Sequence, residues 1–336
     1  MLKFSPKLKE TQIKRSKIND LLRGFFKEQG FLEVQTPSLV KCAGQEPYLT
    51  PMKVDFKDEK NKKYQGFLIT SPEYSLKKLL SAGFDKIFEL ARVFRANEGF
   101  GGSHNPEFTM LEWYRADSDY RQIMKDTENL VFFLNKKINN SKYLNYQGKK
   151  IDLTLPWPRL SIKEAFLKYA KINLDKAKDS KSFRSQIKNK RYPFNDWNDI
   201  FYSVFLNEIE PNLPKDRPII IYDYPLPQAS LAKRKSKGSF YAERFEVYIG
   251  GMELANAFSE LTDPKEQRSR LVQEQLLRRK MGKDAIPLDE DFINALRLGI
   301  LPSGGIALGM ERLQMLLLDI KDINNLLPFP IHDLYL

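Results

Sequence analysis

Arg95 closes an apolar, strand-like run, and Arg312 opens the helix that follows another. A guanidinium in such a place is a fixed fork of donors that suits phosphate oxygens. The glycine-rich loop "NEGFGGSHN" follows Arg95, and "PEFTMLEWYRA" follows the loop. Read as a strand, that segment alternates its side chains. Phe108, Met110, Glu112 and Tyr114 share one face; Glu107, Thr109, Leu111 and Trp113 share the other. The first face offers a ring able to stack on a base, and a carboxylate and phenol able to hold an ammonium. A solvent-facing strand with an ordinary Glu and Tyr is the competing reading. The company of Arg95, the loop, His104, Asn105 and Phe108 favours a nucleotide. Further on, Glu246 and Glu253 are two carboxylates able to share a Mg²⁺ and present it to phosphates, with charge decoration as the alternative. Asn256 and Glu260 follow them, and "GGIALGMER" lets a ligand approach backbone beside a second clamp at Arg312.

The rest of the chain bounds this chemistry. Its 336 residues, 42% apolar, suffice for one large domain or a domain with an insertion. A net charge of +12 suits a polyanionic partner, or else a solvated lysine-rich surface. One cysteine, Cys42, excludes a disulfide framework and a cysteine zinc site, and two distant histidines argue against a histidine metal site. The opening "MLKFSPKLKETQIKR" holds no signal-like apolar run, and no stretch approaches the ~20 apolar residues of a membrane span. A cytoplasmic protein with no membrane partner is expected.

Several elements must position these residues. Ile18, Leu21, Leu22, Phe25 and Phe26 predict an amphipathic helix over 11–29, closed by Gly30. "FLEVQTP" predicts a strand stopped by Pro37, and strands flank "KDEKNKK" within 52–70. "SPEYSLKKLLSAG" predicts a helix with Pro72 at its first position. "KIFELARVFRA" and "PEFTMLEWYRA" predict a strand pair, and 119–138 a helix. Residues 140–215, rich in Lys, Asn, Asp and Ser, read as an insertion with a short helix near 161–171. "FEVYIGGMELANA" is strand-like, though Glu253, Asn256 and Glu260 also fit helical spacing. Asp263-Pro264 caps a helix to about 281, and a strand–helix pair ends the chain. Strands without regular strand–helix alternation predict an α+β fold with a mostly antiparallel sheet.

Together the motifs resemble the catalytic domain of class II aminoacyl-tRNA synthetases, in the lysyl branch. "FLEVQTP" is similar to the first class motif, "FRANEG…SHNPEFTMLEWY" to the second and "GGIALGMERLQML" to the third. "TSPEYSLKKLL" and "ERFEVYIGGMELANAFSELTD" resemble lysyl-branch signatures. Few residues precede the first helix, so no anticodon-binding domain is expected. "SPEY", "LEWYRA" and "QASLA…AERFEVY" most resemble the truncated paralogues that ligate (R)-β-lysine to elongation factor P, which also share alanine at position 307.

The resemblance implies ATP and Mg²⁺ as cofactors. Arg95 would grip the α-phosphate and Arg312 the γ-phosphate, as the catalytic pair. Phe108 would stack on adenine, with Arg312 on the other side. Asn97, Glu98, Asn105, Val247 and Gly309 complete the implied ATP site. Glu246 and Glu253 would hold the metal, Glu253 alternatively facing the amino acid. Ser71 and Glu73 would receive the amino group nearest the carboxylate; Glu112, Tyr114, Asn256, Glu260 and Ala307 would enclose the rest, Glu260 taking the ε-ammonium. The implied partners are lysine or β-lysine, elongation factor P as an acidic acceptor, tRNA as a less favoured acceptor, and a second copy in a homodimer. A non-catalytic descendant would have no need of both arginines and both glutamates.

Overall fold

The computed structural model describes residues 7–187, 192–229 and 231–336. Residues 1–6, 188–191 and 230 belong to the N-terminal stretch, the 140–215 segment and the "QASLA" string, and lie outside the described residues.

The chain begins with α1 (Leu8–Glu28), whose Ile18, Leu22, Phe25 and Phe26 are buried as their spacing predicts. Gly30, at φ +78°, turns the chain out of the helix. The predicted "FLEVQTP" strand is short, only β1 (Leu32–Glu33). Val34 N still donates to Phe88 O at 2.9 Å, but beyond it Thr36 N and Oγ1 each donate at 2.9 Å to the buried Glu89 carboxylate, and Pro37 has no N–H. β2 (Leu39–Val40), β3 (Lys53–Lys57) and β4 (Lys63–Leu68) form a small antiparallel sheet. α2 (Glu73–Ser81) starts one residue later than predicted; Pro72 is its cap, and Ser71 Oγ accepts from Glu73 N at 3.1 Å.

β5 (Lys86–Phe94) and β6 (Glu107–Ala116) pair antiparallel, and α3 (Tyr120–Asn139) follows, capped by Asp119. The 140–215 segment has a polar surface over an apolar interior. Its hairpin β7 (Tyr143–Tyr146) and β8 (Lys149–Asp152) buries Leu144 and Ile151 in the main core. β9 (Arg159–Ser161) becomes a sheet edge. α4 (Ile162–Ala165), α5 (Ser180–Gln186) and α6 (Trp197–Val204) enclose a second core of Phe166, Phe183, Trp197 and Phe201, roofed by Ile219, Ile221 and Tyr248.

β10 (Ile219–Tyr222) leads to β11 (Arg244–Ile249) and β12 (Met252–Ser259). These two form a hairpin, which resolves the helix-or-strand ambiguity: Gly250 and Gly251, at φ +62° and +85°, make a turn that side chains at both positions would oppose. α7 (Pro264–Lys280) carries the Asp263 cap, and α8 (Glu290–Leu298) packs on α2. β13 (Ser303–Gly309), α9 (Met310–Leu318) and α10 (Ile331–Tyr335) end the chain.

The fold is α+β. Eight strands run β1-β5-β6-β13-β12-β11-β10-β9, antiparallel except at the edges, where β1 joins β5 and β9 joins β10 in parallel. One sheet face carries Leu111, Trp113, Phe245, Val247, Ile306 and Leu308 into a core shared with α1, α3 and α9. The opposite face carries the polar residues.

Candidate active site

Register aligns the polar face. Glu112, Ala307, Asn256 and Glu246 are successive partners across β6, β13, β12 and β11. The adjacent row is Tyr114, Gly305, Phe258 and Arg244. On this face β13 offers Ser303, Gly305, Ala307 and Gly309, all small, so the sheet has a low floor between taller neighbours. Above it lies a cleft of about 500 Å³, lined by Arg95, Phe108, Glu253, Asn256, Ala307 and Arg312 among others. That size suits a small-molecule ligand.

The two arginines therefore open on one cavity. Arg95 lies over the Phe108 ring, 5.1 Å from its centroid. Its Nε is shielded from solvent and has no hydrogen-bond partner. Burial pulls the Arg95 guanidinium down, while Glu98, Glu46 and Glu253 favour its charge. A shielded cationic donor without an acceptor is costly, and an incoming anion would relieve it. Arg312 Nη1 donates to the Glu253 carbonyl at 2.7 Å, and its Nη2 stands 3.1 Å from His104 Nε2. Arginine can only donate, so that ring nitrogen accepts and His104 is neutral. Burial and the Arg312 charge push His104 down accordingly.

The other predicted nucleotide residues divide. Glu98, Asn105 and Gly309 line the cleft. Asn105 also braces the backbone, donating to Glu107 O at 2.6 Å and accepting from Ile331 N at 3.2 Å. Asn97 is exposed in a left-handed conformation, φ +65°, outside the lining. The Val247 side chain is buried on the opposite, helical face of the sheet.

Glu246 and Glu253 differ as candidate metal ligands. Glu246 accepts from Arg244 Nη2 at 2.7 Å, Tyr224 OH at 2.6 Å and Tyr248 OH at 2.7 Å. The Glu253 carboxylate faces the cleft, 3.9 Å from Arg312 Nη1. Crowding by its surroundings and the Glu246 charge raise it to about 7. Glu253 is therefore the carboxylate placed to meet a hard cation in the cleft, while Glu246, outside the lining and with both oxygens already accepting, stands behind it. Among the described residues no group of three His, Cys, Asp or Glu forms a larger site.

Of the predicted amino-acid residues, Asn256 and Ala307 line the cleft, whereas Glu112, Tyr114 and Glu260 are buried beside it and outside its lining. Glu112 accepts from Ser71 Oγ and, at 3.1 Å, from Tyr114 OH. Burial, then the Glu73 charge, pushes Glu112 well above the usual carboxylate range. Glu260 is 3% exposed and raised to about 8 by burial, against the pull of Lys77. Ser71 and Glu73 line a second cavity of about 660 Å³, which shares Glu46 with the cleft. Carboxylates held above their usual range invite a cationic ligand.

Sequence reasoning passed over several of these residues. Lys77 bridges Glu73 and Glu260, and its helical i, i+4 spacing from Glu73 was the available signal. Arg244 and Tyr248 flank Glu246 at strand spacing, which also announced a shared face. Glu46, Glu274, Asn198 and Tyr202 line the cleft from a loop, α7 and α6, with no local pattern to mark them.

Comparison with known proteins adds to this geometry. Residues 1–333 match the family described as tRNA synthetases class II (D, K and N). The lysine–tRNA ligase of Carboxydothermus hydrogenoformans is 37% identical over 334 residues, covering 97% of this chain and 66% of that protein. That of Moorella thermoacetica is 37% identical over 335 residues, with the same coverages. That of Pelotomaculum thermopropionicum is 38% identical over 336 residues, covering 97% of this chain and 64% of the relative. The chain thus spans about two thirds of the length of the curated relatives it matches.

Proposed function

The chain belongs to the class II tRNA synthetases of the D, K and N group, and from that premise we propose that it activates lysine, or a close diamino acid, as an aminoacyl-adenylate at the expense of ATP. The observation that carries this reading is that Arg95 and Arg312 open on one cleft floored by Ala307, while Glu112, the register partner of Ala307, is buried beside that floor. A diamino acid brings two ammonium groups to the carboxylates and its own carboxylate toward the arginines.

In this reading a substrate carboxylate oxygen attacks the α-phosphorus, and the bond from that phosphorus to the pyrophosphate oxygen breaks. Arg95 and Arg312 supply placed positive charge where phosphate charge develops. Phe108 provides a stacking face for adenine. Glu253, backed by Glu246, would hold Mg²⁺, which neutralises triphosphate charge when bound. No side-chain nucleophile takes part. In the second step an acceptor nucleophile attacks the acyl carbon and AMP leaves. Glu112, Tyr114 and Glu260 hold the side-chain ammonium throughout.

The names of the relatives support tRNA as acceptor, through a ribose hydroxyl. The net charge of +12 suits that polyanion. A second reading is transfer of (R)-β-lysine to a lysine ε-amine of elongation factor P, for which an acidic partner would also suit the charge. Ala307 favours it: its methyl stands on the cleft floor, in register between Glu112 and Asn256. A homodimer accompanies either reading. The test is amino-acid-dependent ATP–pyrophosphate exchange with α-lysine, β-lysine and ornithine, followed by transfer to tRNA or elongation factor P. Exchange with a diamino acid supports the reading, and the labelled acceptor separates its two forms; no exchange with any of them refutes both.

A further inference from the structure

Lys77 is 2% exposed, which is unusual for an ammonium. Its Nζ lies 2.5 Å from Glu73 Oε1 and 2.5 Å from Glu260 Oε2. The rings of Phe258 and Phe292 flank it, with centroids 5.0 and 5.8 Å away. Burial pulls the ammonium down, and Glu260 and Glu73 together more than restore it, so Lys77 stays charged. These two carboxylates are the ones assigned to opposite ends of the amino acid: Glu73 to the amine near the carboxylate, Glu260 to the ε-ammonium.

The bridge leaves Glu260 half engaged. Oε2 faces Lys77, whereas Oε1 is shielded from solvent without a hydrogen-bond partner. Oε1 points to the space over Gly305 beside Tyr114: a Cβ built on Gly305 would come within 2.4 Å of Oε1 and 2.3 Å of Tyr114 Cε1. One oxygen is thus anchored, and the other lies unpaired against Gly305 beside Tyr114. Glu73 and Lys77 occupy successive turns of α2, while Glu260 follows β12, so Lys77 ties a helix to the sheet across the pocket.

We propose that Lys77 is a positioning residue that fixes the span between the two ammonium-binding ends, and so selects the diamino acid by chain length. The proposal rests on the adenylation reading and adds a length rule to it. An ammonium held between two carboxylates leaves their contact oxygens no freedom to separate. A ligand with one methylene fewer or more cannot place both amines well, and a single methylene in such a pocket discriminates by about tenfold or more.

The test measures exchange kinetics with ornithine, lysine and homolysine for the wild type, Lys77→Arg and Phe292→Leu. Arginine keeps the charge but its planar fork is wider, so it spreads the two carboxylates. The expected result is a rise of about fivefold or more in the homolysine-to-lysine ratio of kcat/KM, carried mainly by KM, with a fall for ornithine. A merely structural lysine would lower all three substrates by one common factor, and unchanged ratios overturn the proposal. If Lys77→Arg does not fold, Phe292→Leu decides. It loosens one flank of the ammonium without touching either carboxylate, and a homolysine-to-lysine ratio moved about twofold the same way supports the proposal, a fixed one overturns it. Wild-type protein that exchanges with none of the three overturns the adenylation reading itself, and this length rule with it.

Discussion

Gly305→Ala offers the sharpest test of the amino-acid pocket. A Cβ there would sit 2.3 Å from Tyr114 Cε1 and 2.4 Å from Glu260 Oε1, more than 1 Å inside ordinary contact distance. Neither neighbour yields easily: Tyr114 is 2% exposed, and Glu260 is anchored on Lys77. Overpacking of this kind costs about 1–3 kcal/mol of stability. If Tyr114 or Glu260 moves, the ligand loses a charge-assisted hydrogen bond worth about 1.5–3 kcal/mol, which raises KM for lysine by about 10- to 150-fold. KM for ATP should change by less than about threefold, because neither Tyr114 nor Glu260 belongs to the lining of the cleft that holds the arginines. Gly304→Ala is the control. Its Cβ would meet Ile123 at 2.5 Å and the Asp119 carbonyl at 2.9 Å, on the other side of the strand. It should lower the melting temperature and leave KM for lysine alone. Equal KM effects from the two variants in ATP–pyrophosphate exchange, or a KM for lysine unmoved in Gly305→Ala, would refute the placement of the ammonium between Tyr114 and Glu260.

Three further outcomes follow from the same geometry. Gly309→Ala should fold normally, since its Cβ would make only ordinary contact with Arg312, 3.5 Å at nearest; if ATP approaches the backbone there, KM for ATP rises about tenfold while stability in urea changes by less than about 1 kcal/mol. Ala307→Gly should shift kcat/KM toward α-lysine over β-lysine by about tenfold in the exchange assay, and an unchanged ratio would remove Ala307 from the specificity argument. Glu274 is raised from 4.5 to about 8 by burial and by the Glu46 and Glu73 charges. The folded protein therefore keeps a proton that the unfolded chain releases above pH 4.5, so this group's stabilisation is complete below that pH and is lost as pH rises through 8. Glu274→Gln cannot ionise; its melting temperature relative to wild type should be higher at pH 8.5 than at pH 5, and a constant difference would refute the shift.

Strand alternation carried far more information here than any single residue. The face holding Phe108, Met110, Glu112 and Tyr114 was legible because a period of two needs no tertiary knowledge. The register that sets Glu112, Ala307, Asn256 and Glu246 in one row was not, since it joins strands from distant parts of the chain. Composition misled where it was read alone: the polar tone of 140–215 concealed the apolar interior around Phe166 and Phe201 and gave no sign that α6 turns Asn198 and Tyr202 toward the cleft.

Glu246 and Lys77 show the limit in sharper form. The sequence marks Glu246 only as a candidate metal ligand and gives Lys77 no role at all. What a buried charge does depends on which opposite charges reach it, and those arrive from remote segments. Glu246 meets Arg244 and Tyr248 on its own strand, but Tyr224 comes from outside that strand. Lys77 meets Glu73 one turn away, but Glu260 lies 183 residues on. A buried ion pair gains little net stability over apolar packing, because desolvation offsets the attraction. A lysine sealed between two ligand-facing carboxylates is therefore a poor stabilising device and a good spacer. That asymmetry predicts where Lys77→Arg should register: weakly in melting temperature, strongly in the choice among diamino acids. A variant that loses stability and keeps its substrate preference would show the reverse, and would make the bridge a structural ion pair after all.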